Sequence, residues 1–174
     1  MGAIRKVEKV KLIIGMIAGD PALFGKAALH LVKIYGPADF TSDIVPFDKT
    51  SYYEKEMGRN LQRRFISFKR LILPDKLILI KRQTNKLEFI LSQNRQHRAI
   101  NLDPGYLEYG KLVLATTKDH QHRLYLGQGI FGEVTLRYTN GSFTPWEWTY
   151  PDYATQEYIN IFNHIRKLYQ QQLK

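Results

Sequence analysis

The sequence has no cysteine. That excludes disulfides, thiolate catalysis and every cysteine-based metal site. It is also poor in acids, with 16 Asp and Glu against 26 Lys and Arg and a formal net charge of +10. Such a chain is attracted to polyanions: RNA, DNA, nucleotides or anionic lipid. A basic protein without an anionic partner has the same composition. Long apolar runs are missing too. The run at residues 12–18 is too short to span a bilayer, and Glu8, Lys9 and Lys11 crowd what would be the core of a signal peptide. The expectation is a cytoplasmic protein with no membrane segment. No repeat, low-complexity tract or linker divides the 174 residues, so residues 1–174 are expected to form a single globular domain.

What is present fits a folded chain: 44% hydrophobic residues, 24% charged and 11 Tyr. Residues 10–18, VKLIIGMIA, read as a buried strand. Asp20 and Pro21 suit a helix N-cap and first turn. Phe24, Ala27, Ala28, Leu31 and Tyr35 follow at helical spacing until Gly36-Pro37. Residues 39–47 read as a strand with an irregular end, and 63–72 as a strand. Pro74 opens a helix over 75–91, followed by a loop at 92–98. Strands are expected at 98–103, 110–117 and 123–139. Thr139-Asn140-Gly141-Ser142 predicts a type I′ hairpin and a return strand at 142–148. From about Thr155, residues Tyr158, Ile161, Phe162, Ile165, Leu168 and Tyr169 make a helical stripe. This order predicts an α+β fold, a largely antiparallel sheet with helices packed on it. The topology that fits is ferredoxin-like βαββαβ with an added hairpin and a C-terminal helix.

Several stretches approach known chemistry. GQGIFG at 127–132 matches the dinucleotide spacing, but a strand follows it where a helix is needed. Its glycines read as a bulge or a close backbone approach. GDPALFGKA at 19–27 fails as a phosphate loop: its spacing is wrong and Ala27 replaces the hydroxyl. TNKLE at 84–88 only approximates a guanine-reading element. The run RNLQRRFISFKR at 59–70 holds Arg59, Arg63, Arg64, Lys69 and Arg70 and no acid. Its Phe65 and Phe68 read as core, leaving Arg63 and Arg64 as candidates for a phosphate-contacting surface. His120 and His122, two apart, suit a metal only if a third ligand such as Asp103, Glu133 or Asp152 converges. The blander reading, a polar turn, is adopted, and no metal is assigned. In WEWTYPDY, Asp152 reads as a helix cap. Asp103-Pro104-Gly105-Tyr106 reads as a type II turn with positive φ at Gly105, and Asp103 has a pocket role in addition.

Taken in order, SYYEKEMG, LQRRFISF, NLDPGYL, LVLATTKD, HRLYLGQGIFGEVTL and WTYPDY resemble an uncharacterised bacterial family known only as a domain of unknown function. The resemblance spans about residues 10–170. It implies no mechanism, and the "GTP-binding" label carried by some members finds little support in the near-miss patterns here. The motif residues it points to include Tyr52, Tyr53, Asn101, Asp103, Lys118, His122, Arg123, Glu133 and Asp152, a set that suits a polar pocket.

The leading expectation is a protein that binds RNA or a nucleotide-like anion. Lys118, His122 and Arg123 would contact phosphate, and Tyr52, Tyr53 or Tyr106 would stack on a base. Arg63 and Arg64 would extend the basic surface, with Asn101 and Asp152 in the pocket. The first alternative is an enzyme acting on a phosphate ester or nucleotide. There His122 is the acid or base, oriented by Asp103 or Glu133. The second is a structural or interaction module. No cofactor is indicated.

Overall fold

The computed structural model describes residues 2–4, 6–92 and 97–173. Part of the loop expected at 92–98 therefore lies outside the described residues. The first strand, β1 (Lys11–Ala18), is buried along its whole length. It lies between β4 (Gln62–Phe68) and β5 (Ile100–Leu107), antiparallel to both. Packed layers cover both faces of this central strand, which is why its sequence is continuously apolar instead of alternating.

The helix α1 (Ala22–Tyr35) begins where Asp20 Oδ1 accepts from the Ala22 N–H at 2.9 Å. It ends at Gly36, whose φ of 93° takes the chain out of the helix. The expected strand at 39–47 is two short ones, β2 (Ala38–Thr41) and β3 (Val45–Pro46), both on β4. The four-residue helix α2 (Glu54–Met57) precedes β4. After β4, a 3₁₀ turn at Pro74–Lys76 leads into α3 (Leu77–Leu91). In the order β2-β4-β1-β5, β1-α1-β2 and β4-α3-β5 each join parallel strands with one strand between them. These are the two split βαβ units of the ferredoxin-like fold, as the pattern predicts.

Beyond β5 the sheet continues through β6 (Lys111–Thr116), β7 (Arg123–Gly127), β8 (Ile130–Thr139) and β9 (Ser142–Pro145), giving nine strands among the described residues. The one strand expected over 123–139 is a hairpin, because Gln128 and Gly129 both have positive φ, 53° and 75°. That turn consumes the GQG of GQGIFG and leaves no helix for a dinucleotide site. The register shift between Tyr125 and Gly127 is the expected irregularity. Asn140 and Gly141, at φ 52° and 86°, form the predicted hairpin turn.

Two cores result. On one face Leu12, Ile14 and Met16 meet Phe24 and Leu31 of α1 and Ile80 and Leu87 of α3. On the other, Ile13 and Phe65 meet Tyr158, Phe162 and Ile165 of α4 (Gln156–Gln172). Phe65 and Phe68 are fully buried, on opposite faces. Among the described residues no helix is long and apolar enough to cross a membrane.

The expected turn at Asp103–Tyr106 is corrected outright. All four residues lie inside β5, with Asp103, Pro104 and Gly105 opposite Gly15, Ile14 and Ile13 of β1. Gly105 does not have a positive φ. It is required because a Cβ there would sit 2.5 Å from the Val113 carbonyl oxygen.

Candidate functional site

The β5–β6 ladder runs from Leu107↔Leu112 only as far as Gly105↔Leu114. Past that point β5 stays on β1 and β6 stays on β8, so the two strands part. Pro104 explains where. Successive strand residues direct their backbone polar groups to opposite sides, so Leu102, Pro104 and Tyr106 face β6. Proline has no N–H to donate, and the ladder stops there.

α3 satisfies the edge left exposed. Glu88 Oε1 accepts from the Leu102 N–H at 2.6 Å, and Lys81 Nζ donates to the Leu102 carbonyl at 3.1 Å. Positions 81 and 88 are two turns apart on one helix face. Burial pushes the Glu88 carboxyl above its ordinary range, against the pull of Lys81.

Within this fork lies a cavity of about 620 Å³, within the usual size for a small-molecule site. Asp103 forms its floor. Asp103 Oδ2 accepts from Asn101 Nδ2 at 2.6 Å and lies 3.5 Å from Arg63 Nη1. Its Oδ1 is 3.7 Å from Lys81 Nζ and accepts no hydrogen bond from the described residues.

Arg63 is a buried support, 2% exposed, and not part of a surface. Its Nη2 donates to Asp152 Oδ2 at 2.9 Å. Its guanidinium lies over the Phe47, Phe65 and Tyr153 rings. Burial opposes its charge, but the oxygens of Tyr153, Asp152 and Asp103 more than offset that, so its pKa stands above the ordinary arginine value. Asp152 is thus committed to Arg63. The side chain that caps α4 is Thr155, which accepts from the Tyr158 N–H.

A second wall comes from the end of β6, the following loop and β7–β8. Arg123 Nε donates to Glu133 Oε2 at 2.8 Å, Nη1 to the Lys118 carbonyl at 3.0 Å, and Nη2 to the Tyr150 hydroxyl at 2.7 Å. His122 Nε2 is 3.1 Å from the same Glu133 oxygen. The third wall is the segment between β3 and β4, with Phe47, Thr50, Tyr52 and Tyr53. Tyr52 hydrogen-bonds Lys118 Nζ, and that ammonium also sits 4.0 Å from the Tyr52 ring centroid. Arg98 ties α2 down, donating to both Glu56 oxygens at 2.7 and 2.6 Å and to Asn101 Oδ1 at 2.8 Å. The Arg98 hydrogen bonds hold the Glu56 carboxyl below its ordinary range. Burial drives the Tyr53 phenol well up.

Most of the residues singled out from sequence meet at this cavity: Asn101, Asp103 and Asp152, then Lys118, Arg123 and Glu133, and Tyr52, Tyr53 and Arg63. Three do not line it. Tyr106 sits one strand position out of phase and packs with Leu77 and Val113 on the opposite face. Arg64 donates to the Ser42 carbonyl. His122 lies behind His120, which does line the cavity. Lys81 and Arg98, which line the cavity, and Glu88, which supports it from α3 without lining it, lie outside every motif read as part of a site. The available signal was polar Lys81, Thr84 and Glu88 on the inward face of α3, in line with Leu77. Among the described residues no group of His, Asp and Glu could hold a metal ion.

The fold and the site define a ferredoxin-like α+β protein with a charge-lined cavity of small-ligand size. The chain belongs to the family described as domain of unknown function DUF4416, whose model matches residues 8–169. No curated protein and no solved structure matches it.

Proposed function

We propose that this chain binds a small nucleotide-like anion in the β5–β6 fork. One observation carries the reading. Lys118 is the lining cation with no carboxylate in ion-pair distance among the described residues, whereas Arg63, Lys81, Arg98 and Arg123 are all paired. Lys118 is exposed and among the described residues its ammonium meets only the Tyr52 hydroxyl and ring, so it is available for a charge-assisted hydrogen bond to an anion. Asp103 Oδ1, which meets Lys81 Nζ at 3.7 Å but accepts no hydrogen bond from the described residues, has room for an N–H or O–H donor. A phosphate attached to a hydroxyl-bearing sugar or a base supplies both. A small ligand is favoured over an RNA strand, because Arg63 is buried and Arg64 is engaged with Ser42. Within the basic run exposed charge is confined to the two ends, Arg59 on one side and Lys69 and Arg70 on the other, so no continuous row of arginines faces solvent.

The test is native mass spectrometry with 260/280 nm absorbance before and after a high-salt wash, followed by calorimetric titration of nucleoside monophosphates. Lys118→Ala should weaken binding by roughly ten- to a hundredfold, the loss of one charge-assisted hydrogen bond. Affinity should also fall as salt rises. Binding indifferent to both would overturn the reading.

A second reading is an enzyme acting on a phosphate ester. The His122–Glu133 contact of 3.1 Å suits an acid or base, since a carboxylate orients the ring, but His122 lies behind His120 and does not line the cavity, so this reading requires His120 to move aside. His122→Ala should then abolish hydrolysis of an aryl phosphate while leaving the circular dichroism spectrum unchanged. Turnover that survives the substitution removes this reading.

A further inference from the structure

A row of parallel aromatic rings ends at the cavity. Trp146 and Trp148 are stacked with centroids 5.0 Å and planes 7° apart. Trp148 and His122 follow at 5.5 Å and 14°, then His122 and His120 at 5.8 Å and 0°. These spacings are those of offset-stacked rings. The Arg137 guanidinium closes the far end, 4.1 Å from the Trp146 ring centroid. The inner rings are held by bonds in their own planes: Trp148 Nε1 donates to the Val134 carbonyl at 3.1 Å, and His122 Nε2 meets Glu133. Such bonds fix ring orientation and leave the faces free to stack. His120 is the exposed end of the row and the member that lines the cavity.

We infer that His120 is a stacking platform at the cavity mouth, where a planar heteroaromatic ring of the ligand adds itself to the row. This rests on the nucleotide-like anion reading and names the ligand class within it: a phosphate joined to an aromatic base, in preference to a sugar phosphate. Lys118, two residues away on the same loop, takes the phosphate. The tyrosines are worse placed for the base. Tyr52 is engaged by Lys118 and meets Tyr53 at 86°, edge to face, and Tyr53 packs on Phe47. A platform held from behind loses little freedom on binding, and stacking on it does not discriminate strongly among bases.

The experiment compares ribose 5-phosphate with the four common ribonucleoside monophosphates by calorimetry, on the wild type, His120→Ala and His120→Phe. Both tryptophans of the chain lie in the row, so an unchanged tryptophan emission spectrum checks that the variants keep it. The wild type should bind the nucleotides about tenfold or more tighter than ribose 5-phosphate. His120→Ala should erase most of that ratio and leave ribose 5-phosphate affinity within about twofold, while His120→Phe retains the ratio. If ribose 5-phosphate binds as well as the nucleotides, or His120→Ala keeps the ratio, the stacking inference falls and the anion reading stands. If no phosphate-bearing probe binds, both fall.

Discussion

Gly15, in the middle of β1, has no room for a methyl group. A Cβ there would lie 2.8 Å from Arg63 Nη1 and 3.1 Å from the Phe65 ring. The bare strand at this point leaves room for the Arg63 guanidinium, which reaches both Asp103 and Asp152. Gly15→Ala should destabilise the protein by about 1–3 kcal/mol, read as a lower urea midpoint, and should loosen Arg63 from its carboxylates. A midpoint equal to wild type would show that Arg63 moves aside freely. Asp103 shows how a correct local rule can mislead. Asp-Pro-Gly has the composition of a turn, and pairing with β1 overrides it. The charged chemistry of the residue was legible. Its strand setting was not, because the partner strand is some ninety positions away. Asp152 repeats the lesson, with a residue suited to helix capping committed instead to a buried arginine.

At the scale of elements, α3 does two jobs. Its apolar residues pack on the sheet, and Lys81 and Glu88 stand in for a missing strand beside Leu102. Glu88→Ala should leave the Leu102 N–H buried without an acceptor, at a cost of about 1–3 kcal/mol. Glu88→Gln keeps the acceptor and should cost less. Hydrogen exchange at the Leu102 amide separates the cases: protection should drop in the alanine variant and largely persist in the glutamine one. Equal protection in all three proteins would mean that the amide is shielded by something other than Glu88. Much of the element order could be read directly. Periodicity marked α1, α3 and α4, and Asn140-Gly141 marked a hairpin. The split of 123–139 was missed because Gln128 is not a habitual positive-φ residue, so the flanking glycines looked like a bulge. The side chains of α3 at the site were missed because a stripe of Leu and Ile around them read as ordinary core.

For the molecule as a whole, the excess of positive charge is not concentrated in the cavity, whose cations are matched by carboxylates except at Lys118. Stability at high pH is instead governed by tyrosines. Burial pushes the Tyr35 and Tyr158 phenols up to about 12 and those of Tyr53 and Tyr153 higher still. An unfolded tyrosine ionises near 10. Above that pH the unfolded chain sheds protons that the folded one keeps, so stability must fall as pH rises. It is fully present below about 10 and lost through the folded values, with a two-unit shift worth about 2–3 kcal/mol per tyrosine. Lys11 works in the opposite sense, since burial lowers its pKa, but it stands against six buried or part-buried tyrosines, Tyr106 and Tyr169 being raised as well. Thermal midpoints should therefore decline from about pH 10, and the last part of the phenolate absorbance at 295 nm, that of the buried tyrosines, should appear only together with loss of the circular dichroism signal. Full ionisation of all 11 tyrosines in a still-folded protein would contradict this. The missing N–H of Pro104 reaches further than the local ladder. Floor and scaffold share the same hydrogen bonds, so a change of charge at Asp103, Lys81 or Glu88 is also a change in how the sheet is held together. The mouth, built from Tyr52, Lys118 and His120 on connecting segments, carries no such duty. Redesign for a new ligand has its freedom there, and the depth and position of the pocket are inherited with the fold.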